Sequence, residues 1–300
     1  MLTRRRFLAT SATAFAAGLL APTTLLRASA LAPAAPRYRV AVCDWMILKR
    51  QKLGALPLAH ELGADGLELD MGGLGQREAF DSKLGDPAAR EQFLATARAL
   101  HLGFSSLAMS GFYAQSFAAR PGYERIVQDC LDAAQAMDIR VAFLPLGVQG
   151  DLVKFPELRP VIIERLKRIA DRAAAAKVVI GIETALDAAG EAALLDKIGS
   201  PAIRSYFNFA NALQSKRDLH AELRTLGRER IVQIHATNED RVWLENDDAI
   251  DLPAVKRTLD AMSWSGWLVV ERSRDATDPR NVKRNFTANV AYLKKIFQPA

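Results

Sequence analysis

VVIGIETALDAAGEAALLDKIGSPAIRSYFNF, residues 178–209, reads as one turn of a repeating unit. VVIGIET (178–184) is a short strand-like apolar run, helical periodicity follows, and IRSYFNF (203–209) is a second such run. The same alternation extends in both directions. Upstream lie YRVAVCD (38–44), DGLELD (65–70), GFSSLAM (103–109) and IRVAFLPL (139–146), with helical stretches near 52–62, 87–101, 123–137 and 157–176. Downstream lie RIVQIHA (230–236) and GWLVVER (266–272), each again followed by helical periodicity. Strict strand–helix alternation implies parallel pairing, and strands apolar on both faces imply a sheet covered by helices. Eight such units within about 260 residues predict a (β/α)8 barrel over 38–297. A doubly wound open sheet is the competing architecture. It usually carries a Gly-rich phosphate turn after the first strand, and CDWMILKR (43–50) is nothing of the kind.

The 300 residues are half apolar and a quarter charged, a globular composition. Net charge is +6, but Arg4, Arg5, Arg6 and Arg27 stand in a first stretch of thirty residues that contains no acid. The remainder is nearly balanced, so the basic character is no sign of nucleic-acid binding. TRRRFLA (3–9), a weakly apolar stretch to Leu26 and Ala28-Ser29-Ala30 resemble a twin-arginine export signal with its cleavage site. The expectation is a leader over 1–30, a linker over 31–37, partnership with the twin-arginine export machinery and a periplasmic or otherwise exported product. Pro22 and Arg27 make the stretch too short and polar for a permanent anchor, so no membrane association is expected after cleavage. Cys43 and Cys130 read as buried small hydrophobes rather than a disulfide framework.

In such a barrel chemistry gathers at the C-terminal strand ends. In order these carry Asp44 and Trp45, Glu68 and Asp70, Ser105 and Ser106, Gln149 and Asp151, Glu183, Asn208, His235, and Glu271 with Arg272. Any single acid here serves equally well as a loop cap or salt-bridge partner, and a single histidine as a satisfied core group. Two glutamates and a histidine ending apolar runs on one barrel half point further, because buried lone charges need pairing or a metal. Carboxylate oxygens with one imidazole suit a divalent cation such as Mn2+, Mg2+, Co2+ or Zn2+.

GIET after the fifth strand, YFNFANA (206–212) after the sixth, QIHA at the seventh and SGWLVVE at the eighth resemble the xylose isomerase-like TIM barrels, which include sugar isomerases and epimerases. ELGADGLELD (61–70) supports the resemblance. It implies that Glu183, Asn208, His235 and Glu271 ligate one divalent ion. It departs at two places. The family's metal-binding Asp is Asn208 here, and its His-x-Lys-Asp is His235-Ala236-Thr237-Asn238. An amide oxygen ligates without charge, and one contact charge at an effective dielectric near 20 is worth on the order of several kcal/mol before desolvation. Weaker metal binding is the expectation.

The resemblance implies an exported, metal-dependent isomerase or epimerase of a small sugar or keto-sugar. Glu183 and Glu271 would exchange the proton beside a carbonyl through an enediolate. Trp45, Glu68, Arg241 and Arg272 are candidate substrate contacts, and SLAMSGFYAQSF (106–117), with Phe112 and Tyr113, suits a lid. A lyase or hydrolase of an oxidised glycoside using the same site, and a non-catalytic sugar-binding barrel, remain the alternatives. A multi-metal DNA-repair endonuclease would need more than the four histidines present. Relatives often form dimers or tetramers, so a homo-oligomer is implied.

Overall fold

The computed structural model describes residues 37–299; the expected leader and, apart from Arg37, the linker lie outside them. The eight strands are β1 (Tyr38–Cys43), β2 (Gly66–Asp70), β3 (Gly103–Ala108), β4 (Val141–Pro145), β5 (Val179–Glu183), β6 (Ile203–Asn208), β7 (Ile231–His235) and β8 (Gly266–Val270). Helices α1 (Ala55–Glu61), α2 (Pro87–Ala99), α3 (Tyr123–Ala136), α4 (Arg159–Ala175) and α5 (Ala188–Ile198) follow the first five strands. Two helices, α6 (Phe209–Gln214) and α7 (Leu219–Arg230), follow β6, then α8 (Leu252–Ala261) and α9 (Val282–Phe297) complete the ring. All neighbouring strands are parallel and β1 pairs with β8, so the sheet closes in chain order: a (β/α)8 barrel.

Local chemistry starts and stops the helices as their composition predicts. Asp86, Asp187, Asp218 and Asp251 each accept a backbone N–H in the first turn of α2, α5, α7 and α8, caps worth about 1 kcal/mol apiece. Pro87 and Pro253 occupy first-turn positions whose N–H has no helical partner anyway. Expected boundaries move by a few residues, and the helix predicted near 52–62 begins at Ala55. The helix predicted over 87–101 ends at Ala99, leaving His101 in a left-handed turn at φ 55°.

The strands alternate, with a shift of register where β2 meets β3 and where β6 meets β7. Val40 and Val42 face the helices, while Ala41 and Cys43 face the barrel axis. Trp267 and Arg39 fill the N-terminal end of the barrel, the guanidinium 3.7 Å from the ring centre. A Cβ on Gly66 would stand 2.5 Å from both the Trp267 ring and the Gly103 carbonyl oxygen, so only glycine fits beneath that ring. The interior above this plug is hydrophobic only in part. Phe143, Tyr206 and Val269 share it with Glu68, Ser106 and Gln233, all buried.

Outside the barrel, Glu191 of α5 is buried against β5 and β6. Its Oε2 accepts from Thr184 Oγ1 at 2.8 Å, while its Oε1 has no partner. Burial raises its carboxyl from 4.5 to about 7. The fold therefore favours the protonated acid. This stabilisation is complete below about pH 4.5 and is lost as pH rises through 7. Glu191→Gln mimics the protonated form at every pH. It is expected to stabilise the protein at pH 8 by on the order of 3 kcal/mol and to match the wild type near pH 4. Melting curves across pH 4–8 check this, and equal stability at pH 8 would count against it.

Candidate active site

Glu183, Asn208 and His235 are the last residues of β5, β6 and β7, and Glu271 is the first after β8. The parallel register pairs Asn208 with His235, and the inward alternation turns all four side chains to the axis. The structure brings them together, all buried. His235 Nδ1 lies 2.9 Å from Glu183 Oε2 and 3.6 Å from Glu271 Oε2. Asn208 Nδ2 donates to those same two oxygens, at 3.0 and 3.3 Å. Tyr113, carried on the turn after β3, reaches over from the opposite wall; its hydroxyl lies 3.4 Å from Glu183 Oε1 and 3.3 Å from Glu271 Oε1.

Burial opposes charge on His235, but the carboxylates of Glu271 and Glu68 and its hydrogen bonds to Glu183 and Glu68 outweigh that and raise its pKa well above the ordinary value. Both of its ring nitrogens face carboxylate oxygens. Burial lifts the Glu271 carboxyl above its usual range; His235 opposes the shift and Glu183 adds to it. Burial and the surrounding glutamates raise the Tyr113 phenol as well, so it stays a donor.

Glu68 lies beneath this layer, fully buried at 0% exposure, and collects donors from four other strands. Its Oε2 accepts from His235 Nε2 at 3.1 Å and from Cys43 Sγ at 3.2 Å. Its Oε1 accepts from Ser106 Oγ and Tyr206 OH, each at 2.9 Å. Gln233 Nε2 donates to both of those hydroxyls, at 2.8 and 2.7 Å, which turns their protons towards Glu68. The rings of Phe143 and Tyr206, 5.0 and 4.5 Å from the His235 ring, complete its socket. Glu68 thus orients His235 so that Nδ1 faces the acid pair.

The acid pair opens into a cavity of about 430 Å³, lined also by Tyr113, Asp151, Lys154, Asn211 and Arg272. Among the residues expected to contact substrate, only Arg272 lines this cavity. Glu68 is sealed under His235, Trp45 packs against the barrel's inner cluster, and Arg241 bonds Asp247 at 3.1 Å. Phe112 is buried between Phe80 and Phe117, whereas its neighbour Tyr113 enters the site. Asn211 shapes the loop by donating to the Thr184 carbonyl at 3.0 Å. Sequence reading missed Lys154, the Tyr206–Gln233 pair and the role of Cys43. The only signal was a polar residue at successive inward positions of β6 and β7.

Glu183, His235 and Glu271 place one donor atom each within 4.8 Å of one another. Adjacent ligands of a small divalent cation stand about 3 Å apart, and two carboxylates with an imidazole suit such an ion. The residues present therefore fit a metal through three groups. Asn208 offers that position its nitrogen, since its oxygen accepts from Ala210 N at 2.9 Å.

The profile of the family described as "Xylose isomerase-like TIM barrel" matches residues 56–296. This chain belongs to that family. No curated protein matches it. Among solved structures, this xylose isomerase-like barrel is similar to a D-psicose 3-epimerase from Clostridium cellulolyticum H10 determined with D-tagatose. The TM-score is 0.69 at 12% identity, covering 86% of this chain and 99% of that one. An L-ribulose 3-epimerase gives 0.68 at 15% identity over 87% and 95% of the two chains. A 3-keto-D-glucoside 4-epimerase from E. coli gives 0.65 at 15% identity over 87% and 100%.

Proposed function

We propose that this protein is a metal-dependent isomerase or epimerase of a small keto-sugar, which moves a proton beside the carbonyl by means of Glu183 and Glu271. The observation that carries this reading is the convergence of two buried carboxyls on one polar cavity. Each lies within reach of the same phenol and the same amide. The names of the similar structures, all sugar epimerases, agree with it. Glu183, His235 and Glu271 would hold the ion, which when bound supplies Lewis-acid polarisation of the carbonyl.

The protein's own groups supply the rest. One glutamate takes the proton and the other returns it, and the face or carbon of return decides between epimerisation and isomerisation. Glu183 and Glu271 both line the cavity and are the two groups placed to carry the proton. Tyr113 bridges the pair from above. Arg272 and Lys154 at the rim meet substrate hydroxyls. The leader TRRRFLA supports export by the twin-arginine route as part of the same proposal, and with it a periplasmic place of action.

The test is to incubate D-psicose, D-tagatose, D-fructose and a 3-keto-glucoside with protein and Mn2+ or Co2+ in D2O and follow the carbons beside the carbonyl by NMR. Deuterium incorporation with a new epimer or isomer is expected. A product with a new double bond would point to a lyase, and no exchange in any keto-sugar would sink the proposal.

A further inference from the structure

The side chain of Asn208 has two unlike ends, and its surroundings leave one arrangement for them. On one side is the Ala210 backbone N–H, 2.9 Å away, which needs an acceptor. On the other are Glu183 Oε2 and Glu271 Oε2, at 3.0 and 3.3 Å, which need donors. Turning the amide over would set an NH2 against an N–H and an oxygen against two carboxylates. Both ends are therefore committed: the oxygen caps α6 and the two N–H groups bridge the acid pair. An aspartate here would have two oxygens, one for the cap and one to spare for a cation. Asparagine has one oxygen, turned to the Ala210 N–H, and presents its nitrogen to the acid pair.

We propose that Asn208 is a hydrogen-bond clamp on Glu183 and Glu271 and not a ligand. It holds the two carboxyls at working separation with no ion bound, and a divalent ion, when it enters, is held by three protein groups only. Asn208 is thus a positioning residue. The site carries part of its charge compensation within the protein, through the two N–H groups of the clamp, where a third carboxylate would leave it more dependent on a metal. The ion then behaves as a loosely held, exchangeable partner.

The proposal takes from the functional reading only the identity of the acid pair. Its tests read stability and ion affinity, so a failure to find a sugar substrate would leave it standing and its own failure would leave the sugar chemistry untouched. Asn208→Ser keeps an oxygen for the Ala210 cap and removes the clamp. Asn208→Asp keeps the cap, removes the clamp and adds an oxygen ligand. In chelator-treated protein both variants are expected to melt about 3–6 °C below the wild type. By calorimetric titration with Mn2+, Asn208→Ser is expected within about threefold of the wild-type Kd. Asn208→Asp is expected to bind at least about tenfold tighter, and its melting temperature to rise more on saturation. Binding by Asn208→Asp where the wild type and Asn208→Ser show none carries the same meaning. A tenfold or greater loss of affinity in Asn208→Ser would identify Asn208 as a ligand and overturn the proposal. So would ion-free variants as stable as the wild type, since the clamp would then contribute nothing.

Discussion

Glu271→Gln is expected to lower solvent-hydrogen exchange into a keto-sugar by about 10³-fold or more, within the range general acid–base groups contribute, while the circular dichroism spectrum stays that of the wild type. Gln is isosteric: with its oxygen towards the Asn208 amide its NH2 faces the Tyr113 hydroxyl oxygen, which can accept, so the cavity retains its shape. What it removes is a carboxyl that can gain and lose a proton. Glu183→Gln is expected to reach the same floor with a greater loss of stability, because Glu183 Oε2 is also the acceptor for His235 Nδ1 at 2.9 Å. Tyr113→Phe, which removes a bridging donor but no proton carrier, should cost about tenfold or less. Exchange within threefold of the wild type in both glutamine variants would refute the assignment of proton transfer to this pair. Measuring Mn2+ affinity beside exchange separates loss of a ligand from loss of an acid.

Glu68→Ala is expected to destabilise the fold by about 3–5 kcal/mol, the cost of breaking a buried charge pair by removing one partner. His235 would lose its carboxylate partner at 3.1 Å, and Ser106, Tyr206 and Cys43 would each face a void with an unmet donor. Glu68→Gln keeps the volume but sets an amide NH2 against two of those donors, so a loss between that of Ala and zero is expected. Urea denaturation checks both. A loss under about 1 kcal/mol in Glu68→Ala would show that the network is not what supports the histidine. The prediction is separate from catalysis, since Glu68 does not line the cavity.

Much of the molecule was legible along the chain. The alternation of VVIGIET, IRSYFNF and RIVQIHA with amphipathic stretches was enough to place all eight strands and to close them into a barrel. Each strand end then fell where it was expected, so Glu183, Asn208, His235 and Glu271 meet as a group. What the chain left open is what each inward residue touches. Glu68 was expected to contact substrate, but it stands two residues before the end of β2 and is buried beneath His235. Arg241 was read as facing substrate, whereas Asp247, six residues on, holds it. Tyr113 and Phe112 are neighbours of like composition, and only the path of the turn after β3 sends one into the site and the other into the core.

Periodicity and caps are local, set by residues a few positions apart, so the sequence by itself determined the strands, the helices, the barrel and the ring of strand-end side chains. The state of that ring depends on partners far away in the chain: Glu68 to His235 spans 167 residues, and Glu68 to Tyr206 spans 138. No local pattern encodes which end of an amide faces an acid pair. For Asn208 that was decided only when closure of the barrel set a backbone N–H on one side of it and two carboxylates on the other, because a hydrogen bond needs a donor against an acceptor and only one orientation supplies it.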